Sequence, residues 1–183
     1  MALRKALSYS RRKARPYTRH SRSKGKAYIK VIPPSKIAKF KFGSQADYTL
    51  GKHPFHIRLV TQERLQIRDT ALEAGRMLLN KMLEEKAPGQ FFMEVKVYPH
   101  HMLRDNKTAA GAGADRLSSG MSHSFGSVIG RAAIVAPGKE IFFVSCANEK
   151  AARVARESIV MIKPKIPGKN RIVFENTLLK QAK

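Results

Sequence analysis

The residues best suited to chemistry crowd into one short stretch, GAGADRLSSGMSHSFG at positions 111–126. Gly111 and Gly113 form a GxG of the kind that lets backbone cradle a phosphate, while Asp115, Ser119 and His123 have the side chains of an acid, a nucleophile and a base. Each enzymatic reading lacks a part. A dinucleotide fingerprint needs a third glycine and a P-loop needs Lys followed by Ser or Thr, and neither follows. A hydrolase needs its nucleophile on a constrained turn such as GxSxG, with His and Asp brought in by a scaffold. Here Ser118, Ser119 and His123 simply neighbour one another in one segment. A nuclease needs a second acid–base group or clustered metal-binding carboxylates, and the 13 acids of this chain are scattered. What the stretch does offer is close approach. Gly and Ala admit a phosphate or base against the backbone, and Arg104, Lys107 and Arg116 surround them with positive charge. It reads as a segment that reaches RNA, and composition leaves an ordinary surface loop open as the alternative.

The other candidate ligands point the same way. The single Cys146 permits no internal disulfide, and no Cys/His spacing of the zinc type exists, so neither metal nor cofactor is expected and a reducing cytosol fits. The histidines (His20, His53, His56, His100, His101, His123) have no companions at ligand spacing and are expected as polar surface or RNA contacts. No apolar run approaches the roughly 18 residues of a membrane span, and the N-terminus has no continuous apolar segment of a secretory signal. Its Arg- and Ser-rich start resembles a mitochondrial transit peptide in composition, but only Leu3 and Leu7 share a helical face before Pro16 interrupts. Charge is the dominant feature: 36 Lys+Arg oppose 13 Asp+Glu, for a net +23. A polyanionic partner is implied.

The elements that would position these groups are legible from periodicity. Phe55, Ile57 and Leu59 alternate with His56 and Arg58 as in a half-buried strand. Thr61 then caps an expected helix whose apolar stripe runs Leu65, Ala71, Leu72, Leu78, Leu79, Met82, Leu83, with Gly75 on the stripe as a point of close backbone approach. Phe91, Met93, Val95 and Val97 mark a second strand. The stretch 99–126 shows no period, which at about 28 residues is long for a connection inside a compact domain and marks a functional or disordered loop. Residues 127–135 and 140–147 read as a hairpin through Ala136, Pro137, Gly138 and Lys139. A helix capped by Asn148 follows, with Ala151, Ala155, Ile159 and Ile162 on one face, and a short strand spans Arg171 to Phe174. This order indicates an α+β fold, a two-layer sandwich of a mostly antiparallel sheet with two helices, for which a ferredoxin-like arrangement is the simplest form.

Ahead of the globular part, which spans 47–176 with a tail at 177–183, lies a basic N-terminal extension, 1–46. It holds 14 of the 36 Lys+Arg and no acid. Pro16, Pro33 and Pro34 forbid one long helix, so an extended strap is expected. Arg11, Arg12, Lys13, Arg15, Arg19, Arg22, Lys24, Lys26 and Lys36 would meet phosphates, and rings such as Tyr9, Tyr17 and Tyr28 would stack on bases or fill grooves. A solvated disordered tail, and a chromatin or general RNA-packaging role, are the competing readings of the same charge.

His101, Leu103, Arg104, Asn106 and Lys107, then Ala112-Gly113-Ala114-Asp115-Arg116-Leu117, Gly120-Met121 and Phe125-Gly126, resemble the central motif of the archaeal and eukaryotic large-subunit ribosomal protein family L-ten-e, whose bacterial counterpart is L-sixteen. Arg15-Pro16-Tyr17-Thr18-Arg19 and Pro34-Ser35-Lys36-Ile37 resemble its N-terminal segment. The resemblance implies an α/β-hammerhead fold in place of the ferredoxin-like one, and no enzyme activity. It further implies cytoplasmic residence in the large subunit, and a place on 23S rRNA near 5S rRNA and beside other large-subunit proteins. The long loop would point toward the peptidyl transferase centre, bringing Arg104, Asn106, Lys107, Gly111, Gly113, Asp115, Arg116, Gly120 and Met121 near tRNA acceptor ends for transient contact. The short C-terminal stretch resembles the archaeal form. Two positions depart from the family, which commonly has Arg after Gly-Met and Lys after Phe-Gly, where this chain has Ser122 and Ser127.

Overall fold

The computed structural model describes residues 5–11, 25, 29, 31–105 and 126–177. Within them the chain runs through β1 (Lys41–Gly43), α1 (Gln45–Thr49), β2 (Phe55–Thr61), β3 (Leu65–Arg68), α2 (Asp69–Lys86), β4 (Phe91–Val95), β5 (His101–Asp105), β6 (Ser127–Val135), β7 (Glu140–Cys146), α3 (Glu149–Ile162), a 3-10 turn (Lys163–Lys165) and β8 (Asn170–Asn176). The fold is α+β and its sheet pairs are all antiparallel, but the strands divide into two sheets: β1-β4-β7-β2-β8 and β3-β6-β5.

Alternation along the strands builds the larger layer. Ile57 lies opposite Val144 and Phe174, and Leu59 opposite Phe142 and Ile172, so one face of the sheet is a continuous apolar row. Helices α2 and α3 cover that face. The stripe of α2 buries Ala71, Leu72, Gly75, Leu79 and Leu83, and each fully buried leucine contributes roughly 1.5–3 kcal/mol. Gly75 is the close approach expected of it, because a Cβ there would stand 3.0 Å from Cζ of Phe142 and 3.1 Å from Cγ2 of Ile162. On the opposite face α1 lays the Tyr48 ring over Phe92, with centroids 4.8 Å apart. Packing also reaches upstream of His53: Ile37 is in the core, Phe40 and Phe42 pack against it, and β1 brings residues 41–43 into the sheet, short of the boundary at residue 46 that charge alone had set.

Three expectations fail, each for a physical reason. The helix does not start at Thr61. That residue instead closes a turn, its hydroxyl donating to the Glu63 carbonyl at 3.0 Å, and Leu65–Arg68 forms a strand before the helix begins at Asp69. Leu65 and Ile67 suit either period over so short a span, and only the partner strand β6 decides between them. The hairpin of 127–135 and 140–147 is absent, because β6 pairs with β3 and β5 whereas both edges of β7 are taken by β2 and β4. Ala136–Lys139 is a crossing between sheets, held by the Gly138 N–H donating to the Thr61 carbonyl at 2.8 Å. Finally, the aperiodic stretch 99–126 begins with a strand, β5, whose His101, Met102 and Leu103 are all buried. A strand covered on both faces loses its alternation.

Candidate nucleic-acid interface

The smaller sheet organises both segments expected to face RNA. The first is the strap. Residues Lys5–Arg11 form a tight turn in which Ser10 Oγ donates to the Leu7 carbonyl at 2.6 Å. Tyr9 there holds a positive φ of 65°, a left-handed backbone that costs a non-glycine residue about 1–3 kcal/mol and persists only where surroundings enforce it. The enforcement is visible. The Gln66 backbone N–H donates to the Ser10 carbonyl at 3.1 Å, the Gln66 side-chain amide donates to the Tyr9 carbonyl, Arg68 Nη2 donates to the Lys5 carbonyl at 2.8 Å, and the Tyr9 hydroxyl donates to Asp105 Oδ2 at 2.9 Å. Tyr9, expected among the rings offered to bases, is therefore engaged by the protein itself.

The strap's second described piece crosses the start of α2. Arg131 Nε donates to the Pro33 carbonyl at 2.6 Å, the Lys36 N–H to Asp69 Oδ2 at 3.2 Å and the Ala38 N–H to Glu73 Oε2 at 3.3 Å. Ile37 is buried between these anchors. Glu73 is itself held by Arg76, whose Nε and Nη2 donate at 2.7 and 2.5 Å, and that pairing keeps the Glu73 carboxyl below its ordinary range. A pattern results: the protein takes hold of the strap by its backbone, while the side chains of Arg11, Lys36 and Lys39 remain exposed. Main-chain groups are satisfied internally and the cations stay available to an external anion.

The long loop is the second segment. β5 and β6 pair antiparallel down to Asp105 opposite Ser127, so the two ends of the intervening stretch meet. Gly126 closes the root with a positive φ of 80° and stands so near Asp105 that a Cβ there would lie 2.8 Å from its carbonyl oxygen. Arg104 sits half-buried at this root. His101, three residues earlier in the strand, is buried, and its pKa is lowered by desolvation and then by the nearby charge of Arg104. His53 is likewise buried, with Nδ1 3.1 Å from Ser145 Oγ. These two histidines correct the expectation of polar surface residues: both are buried, and burial disfavours the charged ring and lowers the pKa of each.

Of the residues expected to contact RNA, the structure thus places Arg11, Lys36 and Arg104. Arg12, Lys13, Arg15, Tyr17, Arg19, Arg22, Lys24 and Lys26 of the strap, and Asn106, Lys107, Gly111, Gly113, Asp115, Arg116, Gly120 and Met121 of the loop, lie outside the described residues, as do Ser118, Ser119 and His123. The strap and the loop root are brought together through Tyr9 and Asp105. Sequence reasoning missed the residues that do this. Gln66, Arg131, Asp69 and Glu73 carry no linear signal.

A family model described as ribosomal protein L16p/L10e matches residues 12–173. Among curated proteins, the chain is 40% identical over 176 residues to the large ribosomal subunit protein uL16 of Staphylothermus marinus, covering 96% of this chain and 95% of that one. It is 38% identical to the uL16 of Archaeoglobus fulgidus over 174 residues (94% and 93%). It is 43% identical to that of Halobacterium salinarum over 129 residues (69% and 72%).

Proposed function

Because the chain belongs to the ribosomal protein L16p/L10e family, whose members are structural proteins of the ribosome rather than enzymes, we propose that it works in the large subunit by clamping ribosomal RNA with its strap and aiming the long loop, residues 102–121, at the tRNA acceptor ends. The partners on this reading are 23S rRNA, with 5S rRNA nearby, neighbouring large-subunit proteins, and tRNA in passing, near the peptidyl transferase centre. The support comes from the way the strap is held. Its backbone is anchored at Tyr9, Ser10, Pro33, Lys36 and Ala38 while exposed cations face outward, which is the arrangement a phosphate-binding arm needs.

The test is the salt dependence of binding by the full chain to rRNA from large subunits stripped of protein. If roughly eight strap cations neutralise phosphates, log affinity falls against log salt with a slope of about −6 to −7. A slope near −1 overturns the strap's role. The chain is also expected to co-sediment stoichiometrically with large subunits after a high-salt wash, whereas spread over bulk DNA or mixed RNA would mark a general packaging protein. For the loop, deletion of residues 108–120 leaves the fold intact, since the root is closed at Asp105 and Gly126, but impairs translation or late subunit maturation. Collapse of the isolated chain on deletion would place the segment in the core instead.

A further inference from the structure

The turn Lys5–Arg11 is held by polar contacts rather than by a buried apolar side chain. Leu7 is 56% exposed, and Ser10, at 2%, is the buried residue of the turn. Three holds come from β3: the Gln66 backbone N–H donates to the Ser10 carbonyl at 3.1 Å, the Gln66 side-chain amide to the Tyr9 carbonyl, and Arg68 Nη2 to the Lys5 carbonyl at 2.8 Å. A fourth comes from a different strand. The Tyr9 hydroxyl donates to Asp105 Oδ2 at 2.9 Å, and Asp105 ends β5 with its backbone opposite Ser127, at the root of the long loop. β6 lies between β3 and β5 in the smaller sheet, so one residue of the turn joins two strands that do not pair with each other.

These holds act together for a physical reason. Tyr9 has a φ of 65°, a backbone that a residue with a side chain keeps only while its surroundings over-determine it. The Tyr9 and Ser10 carbonyls that Gln66 grips are set by that left-handed geometry, as is the reach of the phenol to Asp105. Loss of the hydroxyl's bond removes one constraint. The strained residue then relaxes toward an ordinary φ and withdraws both carbonyls from Gln66. The converse also holds, because an undocked turn takes the phenol away from Asp105. The bond is suited to the task, since its acceptor is a carboxylate and charge-assisted hydrogen bonds are stronger than neutral ones. The basic run continues directly from the turn: exposed Arg11 is followed in sequence by Arg12, Lys13 and Arg15. An arm whose origin is fixed loses less freedom on binding, so RNA that engages this run favours the docked turn.

We propose that Tyr9 is a positioning residue for the loop root: its hydroxyl couples docking of the N-terminal turn to the pairing of Asp105 with Ser127, so that rRNA engaged by the strap steadies the root through the turn. The coupling is a property of the isolated chain, whereas its use by RNA rests on the reading of the strap as an rRNA-binding arm. Such a coupling is reciprocal, and the root steadies the turn by the same factor as the turn steadies the root.

Amide hydrogen exchange on the full chain tests it, read at the root (residues 103–105 and 128) and at Gln66, whose N–H reports docking of the turn. Tyr9→Phe removes the hydroxyl and keeps the ring. It is expected to lower protection at the root roughly tenfold, and Asp105→Ala to lower it by a like factor at Gln66. The double variant is expected to lose no more at Gln66 than either single one, because both remove the same bond. Ile159→Val, in the fully buried core, is the comparison: it lowers protection of Ile57 and Leu59 in the larger sheet and leaves the root and Gln66 at wild-type values, since these exchange through local opening. An unchanged root in Tyr9→Phe overturns the proposal. Additive losses at Gln66 overturn it in favour of separate packing roles, and a root that follows Ile159→Val overturns it in favour of general destabilisation. Saturating protein-free large-subunit rRNA is then expected to raise root protection several-fold more in wild type than in Tyr9→Phe, and a gain no larger in wild type overturns the proposal. A salt slope for rRNA binding near about −1 overturns the strap reading instead, while the reciprocal exchange still decides the coupling.

Discussion

Replacing Gly126 with alanine should pry open the root of the long loop. The residue has a φ of +80°, and the added Cβ would lie 2.8 Å from the Asp105 carbonyl oxygen and 3.1 Å from its carbonyl carbon. Two effects combine. A left-handed conformation costs an L residue about 1–2 kcal/mol. The crowding atom is backbone and is held by the pairing of Asp105 with Ser127 and by the Tyr9 hydroxyl on the Asp105 side chain. Relief therefore breaks about one or two hydrogen bonds, each worth about 1 kcal/mol net. Gly138→Ala is the matched control, because Gly138 has a φ of +82° but nothing within 4 Å of its would-be Cβ. Gly126→Ala should thus destabilise by about 2–4 kcal/mol and Gly138→Ala by about 1–2. At about 2–4 °C per kcal/mol for a chain of this size, the two melting temperatures should differ by about 2–8 °C. Hydrogen exchange locates the damage: the amides of Arg104, Asp105 and Val128 lose protection in Gly126→Ala and keep it in Gly138→Ala. Equal melts and equal protection would refute the closed root.

The remaining predictions concern the body of the protein. Gly75→Leu overfills the contact of α2 with Phe142 and Ile162 and should destabilise by about 1–3 kcal/mol, seen as an earlier urea midpoint; an unchanged midpoint would mean the two helices are not packed as described. Arg76 holds the Glu73 carboxyl below its ordinary value of 4.5, so the pair's stabilisation is fully present above that pH and is lost as pH falls through the lower folded value. The acid decline of the melting temperature between about pH 5 and 3 should accordingly be shallower in Glu73→Gln. Burial pushes the Cys146 thiol up to about 12, so iodoacetamide at neutral pH should modify the native chain far more slowly than the guanidinium-unfolded one.

The apolar alternation of β2 and β4 and the long stripe of α2 were legible in the chain because each depends on neighbours within a few positions. So was the strap's charge, since net charge sums over residues wherever they lie. β3 was not legible, because four residues suit both a strand and a helix until β6 lies beside them. The false hairpin has the same origin: adjacency of β6 and β7 in sequence says nothing about which edges are already occupied. The candidate interface divides along the same line. Its cations could be named from sequence, as could the loop's small residues. That Gln66 and Asp105 fasten the strap to the loop root depended on contacts between distant positions. Composition determined that this protein must meet a polyanion. Only the tertiary structure decided which charges stand together, because the repulsion and attraction between them depend on distance in space.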